Sequence, residues 1–112
     1  DCAWLPEWPG PPIGDEEGDL ISNALGDKRA ILLAHHGQLS AGDTVEQAAI
    51  LAYHFEHAAK IQLRAMAAGE IKPLPPDAGR HAHDYRLKPE PLNATFDCYA
   101  RSVLRVGPDV LD

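Results

Sequence analysis

Basic residues are scarce in this chain. Ten Lys and Arg stand against 17 Asp and Glu, giving a formal net charge of -7 over 112 residues. Nucleic acids and anionic membrane surfaces select clustered Lys and Arg, so neither is expected as a partner. Cysteine is nearly absent. Cys2 and Cys98 lie far apart and form no CxxC pair, so they read as two reduced thiols of a cytoplasmic protein rather than a disulfide. No apolar run approaches the roughly 20 residues that span a bilayer. The opening Asp-Cys-Ala-Trp carries no basic region, so no signal peptide is expected and the sequon Asn93-Ala-Thr95 reads as accidental. GxSxG, SxxK and glycine-rich phosphate loops are all missing, which leaves no recognisable nucleophile or nucleotide motif. No catalytic residue is assigned.

What is present fits one domain with a modest core: the hydrophobic fraction is 45%. Residues 1–14 hold a cluster of prolines and both tryptophans, Trp4 and Trp8. Proline removes backbone donors, so this segment reads as an extended loop that lays its two rings on some other surface. A short helix follows over about Asp15–Leu25, with acidic residues at its start and Gly26 as C-cap. Arg29–Ala34 is an apolar run that reads as a buried strand, and Gln38–Ala41 as a second short one.

Thr44 opens the longest helix, to about Ala68. Thr44 and Gln47 have the spacing of a capping box, worth about 0.5–2 kcal/mol at the cap. Apolar residues cover most of this helix, which predicts burial on several sides. Asp77–Leu87 reads as a further helix. Pro89 and Pro91 are expected to break the chain before a last helix, capped by Asn93 or Thr95, that runs to about Val106 with Phe96, Tyr99, Ala100, Val103 and Leu104 facing inward.

Six histidines are the main candidates for chemistry. Neutral imidazole is the commonest metal ligand and needs a fixed ring direction. His35 and His36 sit where the apolar strand ends, and adjacent strand residues point to opposite faces, so one of the two can face a given site. Gly37 would permit a tight turn there. His54 and His57 are one turn apart on the long helix, with Glu56 between, but do not match HExxH. His81-Ala-His83 could chelate if extended. In a helix its two rings point about 200° apart and share no metal.

Ile31-Leu-Leu-Ala-His-His-Gly-Gln-Leu-Ser-Ala-Gly-Asp-Thr-Val-Glu-Gln-Ala48, then Phe55-Glu-His-Ala-Ala59 and Ala65-Met-Ala-Ala-Gly69, resembles the class II aldolase/adducin family. The family pattern runs apolar stretch, Asn-His-Gly, a short apolar stretch, Gly, then a helix opening Thr-x-x-x-Ala. The resemblance implies an α/β, three-layer fold with a mainly antiparallel central sheet. This chain would supply only the C-terminal part: residues 1–14 as the extended Pro/Trp-rich segment and 15–112 as the C-terminal part of the domain. It also implies a divalent metal, Zn2+ first and Mn2+ or Mg2+ as alternatives, held by three histidines. The His of Asn-His-Gly corresponds to His36. The other two ligands, an H-x-H pair, and the acidic catalytic residue belong to a first half that these residues do not include. His81-Ala-His83 follows His36, the wrong order to replace that pair. His35 stands where the family has Asn.

The activity so implied is metal-dependent carbon–carbon bond cleavage, of aldolase or decarboxylase type, on a small hydroxy-carbonyl substrate in a cyclic homotetramer. The missing N-terminal half of the domain would be the chain's first partner. The alternative is an adducin-like domain that keeps the fold for protein interaction without catalysis.

Overall fold

A computed structural model of the chain describes residues 1–7, 10 and 14–111. The expectation for Trp8 lies outside the described residues. The chain divides into two units, residues 1–56 and 57–112.

The first unit is built on a three-stranded sheet. Strands β1 (Cys2–Leu5), β2 (Ala30–Leu33) and β3 (Gly37–Ser40) lie in that order. β1 runs parallel to β2, and β3 runs antiparallel to it. The sheet is therefore mixed rather than mainly antiparallel. The cause is β1, which arises within the segment expected to be an extended loop. Cys2–Leu5 contains no proline, so every residue keeps its backbone donor, and the strand alternates exposed and buried positions.

Register decides which face each side chain takes. Ala3 pairs with Ile31 and Leu5 with Leu33, and these four form a buried cluster on one face. Helix α1 (Glu16–Leu25) lays Ile21, Ala24 and Leu25 against it. α1 ends as expected at Gly26, which takes a positive φ of 57° and whose N–H donates to the Ser22 carbonyl at 3.0 Å. Ile31 is fully buried at the centre.

The opposite face meets the first half of α2 (Val45–Ala68). Ser40 Oγ donates to the Ala48 carbonyl at 2.9 Å, and Gln38 Nε2 donates to the Ala52 carbonyl at 3.1 Å. The spacings match. Residues two apart on a strand are separated by about 6.8 Å, and carbonyls four apart on a helix by about 6 Å. The first unit is thus a helix–sheet–helix sandwich. Trp4 and Leu32, paired on this second face, remain exposed.

The start of α2 is fixed by polar contacts. Thr44 Oγ1 accepts from the Gln47 N–H at 3.2 Å, as the capping spacing predicts. Gln47 does not complete the box at Thr44. Its buried side-chain oxygen accepts instead from the Asp43 N–H and from Arg29 Nη1. Glu46 carries a pKa below its ordinary 4.5, first through a hydrogen bond from its own backbone N–H and next through the Thr44 hydroxyl, with desolvation opposing. A carboxyl group depressed on folding contributes stability above its ordinary pKa and loses it as pH falls through the depressed value. Glu46→Gln should therefore lower the thermal midpoint at neutral pH, and the gap to the parent should close in acid. Unfolding scans at the two pH values check this; a gap of equal size at both would contradict it.

The burial expected around α2 is not found. Its buried residues are Gln47 and Ile50, both in the first half, while Ile61, Leu63 and Met66 are exposed. Apolar periodicity reports a helix's capacity for burial, not what covers it.

In the second unit, α3 (Pro76–Arg86) matches the expected helix, and α4 (Pro89–Val106) starts earlier than expected. Pro89 and Pro91 lie inside its first turn, where backbone N–H groups have no intrahelical partner to lose. Thr95 caps nothing: its hydroxyl donates back to the Pro91 carbonyl at 2.7 Å. Leu92 is the buried residue of this helix, and Val103, expected inside, is exposed. Among the described residues no helix is long and apolar enough to cross a membrane.

Candidate functional site

The β2–β3 connection carries the two candidate histidines. Ala34, His35 and His36 form the turn between the paired ends Leu33 and Gly37. The His36 N–H donates to the Leu33 carbonyl at 3.1 Å, and the Ala34 N–H donates to the Leu5 carbonyl at 2.9 Å. The second bond ties the turn to β1 and hence to the core. Both histidines are exposed. They belong to the turn rather than to the strand, so the opposite-face rule for strand neighbours does not govern them.

The tight turn is not made by Gly37. His35 carries it, with φ of 59°, the one non-glycine positive φ among the described residues. Gly37 already belongs to β3. A Cβ built there would meet nothing within 4 Å, so the space over Gly37 is open. Two residues on, Gln38 Oε1 is buried without a hydrogen-bond partner, a deficit that costs about 1–3 kcal/mol.

At the other end of the β2–β3 pair, where Ala30 faces Ser40, the loop entering α2 is closely packed. Arg29 Nη1 lies 3.2 Å from Gln47 Oε1 and 3.7 Å from Asp43 Oδ2. Gly42 sits so near the helix that a Cβ would fall 2.8 Å from the Ala48 nitrogen. This bracing was not read from the sequence beyond the Thr44–Gln47 spacing.

The remaining histidines lie elsewhere. His54 meets the Tyr53 ring edge-on at 5.7 Å. His57 is exposed on α2. His81 and His83 are on α3, so the helical geometry sends their rings apart, and His83 Nδ1 lies 2.9 Å from Asp84 Oδ1. Among the described residues no group of three His, Cys, Asp or Glu could hold a metal. A divalent metal takes three or more protein ligands in such sites. At this turn the chain offers two imidazoles, His35 and His36, and the main chain of His36 is held by its bond to Leu33.

Comparison with known proteins bears on this turn. Residues 4–63 match the family model described as Class II Aldolase and Adducin N-terminal domain. Adducin-related protein 1 of Caenorhabditis elegans is 42% identical over 60 residues, 51% of this chain and 8% of that protein. The 4-hydroxy-3-prenylphenylpyruvate oxygenase/4-hydroxy-3-prenylbenzoate synthase of Streptomyces roseochromogenus subsp. oscitans is 31% identical over 74 residues, 66% of this chain and 27% of that protein. The structure of L-fuculose 1-phosphate aldolase from Glaciozyma antarctica PI12 matches with a TM-score of 0.79 and 27% identity, covering 97% of this chain and 40% of that one. The chain thus spans well under half the length of each of these proteins.

Proposed function

This chain belongs to the class II aldolase and adducin family, and from that premise we propose that it is part of a metal-dependent enzyme cleaving a carbon–carbon bond in a small hydroxy-carbonyl compound. His36 is the residue of this chain that would hold the cation. The observation carrying this reading is the placement of an exposed imidazole on a core-tied turn beside open space at Gly37, in a chain whose fold matches an aldolase at a TM-score of 0.79.

When bound, a divalent cation supplies positive charge where a carbonyl oxygen gains negative charge as the bond breaks. The described residues of this chain do not complete its coordination; the remaining ligands are proposed to come from the other half of the domain. His36 contributes a neutral nitrogen in a set direction and moves no proton. Zn2+ is the proposed metal. Residues 15–112 are the proposed C-terminal part of the domain, acting in a cytoplasmic homotetramer.

The second reading is an adducin-like interaction domain without catalysis, favoured by the 42% identity to Adducin-related protein 1. Metal analysis of the intact full-length protein, with a cleavage assay on L-fuculose 1-phosphate as first test compound, separates the two. Bound metal in proportion to chains, with aldehyde or ketone release from this or a related hydroxy-carbonyl compound, is the expected result. Protein that takes up no Zn2+ even when supplied with it belongs to the second reading.

A further inference from the structure

We propose that His35 is a positioning residue for His36, acting through its left-handed main chain and not through its imidazole. The proposal rests on the reading of His36 as a metal ligand and adds how that ring is aimed.

Leu33–His36 is a four-residue turn closed by the His36 N–H on the Leu33 carbonyl. His35 is its third residue, with φ of 59°. Turns with positive φ at the third position demand glycine or a short polar residue there, chiefly Asn. For other residues the left-handed region crowds Cβ against the following carbonyl. Histidine shares with Asn and Asp an enrichment in this region. The resemblance places Asn where this chain has His35. The two side chains differ in size, charge and hydrogen bonding, but both tolerate the conformation the turn requires. The exchange therefore conserves a backbone shape.

Returning residue 35 to negative φ would rotate the next peptide, break the bond from the His36 N–H to Leu33 and move the start of β3 away from its pairing of Leu33 with Gly37. His36 would then project in a new direction. The exposure of His35 agrees with a role for its main chain.

The test uses the intact full-length protein with His35→Asn, His35→Gly and His35→Val, and Co2+ as the metal. The sign of φ at residue 35 is read from the amide-to-Hα NOE, and Co2+ affinity from its visible spectrum. Asn and Gly should keep positive φ and the parent's affinity. Val, for which this region is least accessible, should lose affinity by about tenfold or more, the scale of the left-handed penalty. If Val fails to fold, His35→Ala takes its place. Loss of affinity in Asn and Gly alongside Val would show that the imidazole itself is needed and overturn the proposal, as would a Val or Ala variant binding like the parent. A His36→Ala control that binds Co2+ undiminished would sink the metal reading instead. In that event NOEs from the His36 ring to Leu33 and Gly37, compared between the Asn and Val variants, decide the His35 claim alone: a ring that stays put in Val refutes it.

Discussion

His36→Ala in the full-length protein is expected to lose most of its bound metal and its cleavage activity while keeping the thermal midpoint of the metal-free parent, since a bound ion itself adds stability. Residues that merely orient a ligand cost about 10–100-fold in metal affinity or activity when removed. Removing a ligand outright should cost on the order of 100-fold or more by the same comparison. Stability should hold because the ring is exposed and the hydrogen bond that closes the turn comes from the backbone N–H, which alanine keeps. Surface replacements of this kind usually stay within about 0.5 kcal/mol. Metal content by elemental analysis, initial rates and an unfolding scan on one preparation give the three readouts. A variant with full metal and full rate would remove His36 from the site.

The second large effect is on stability. Gly42→Ala should destabilise the protein by about 1–3 kcal/mol, the range for forcing a methyl group into packed surroundings. The new Cβ would stand 2.8 Å from the Ala48 nitrogen and 2.9 Å from Gln47 Oε1. The first is helix backbone. The second is held by Arg29 and by the Asp43 N–H, so it cannot swing aside without giving up both. The midpoint should fall by about 10 °C for a domain near this size. Gly37→Ala is the matched control. Its Cβ would meet nothing within 4 Å, and its midpoint should barely move. Equal midpoints for the two variants would contradict the close approach.

Much of this was legible beforehand. Helix spans followed from apolar spacing and end signals: Thr44 before α2 and Gly26 after α1 both stand where the elements start or stop. The two strands flanking His35 and His36 were also readable, as was the helix that carries His81 and His83. The failures share a cause. Nothing local marks Cys2–Leu5 as a strand, because its partner β2 lies 28 residues away in register. Prolines at positions 89 and 91 read as breakers, since the pattern does not say whether a proline stands before a helix or inside its first turn. The apolar breadth of α2 predicted burial, and only coordinates could show Ile61 and Leu63 exposed. At the candidate site, the sequence singled out His36 but credited the turn to Gly37. The clue to the conformation of His35 was its standing in place of Asn, a residue that shares its tolerance of positive φ.

The paired bonds from Gln38 and Ser40 onto the carbonyls of Ala52 and Ala48 work like two teeth in a rack. Slipping β3 by one residue would present Leu39 to a helix carbonyl and turn both polar groups onto the apolar face that packs against α1. The strand that begins beside His36 therefore cannot creep along α2 in small steps. It either engages or lets go, and the imidazole at its end inherits that all-or-none placement.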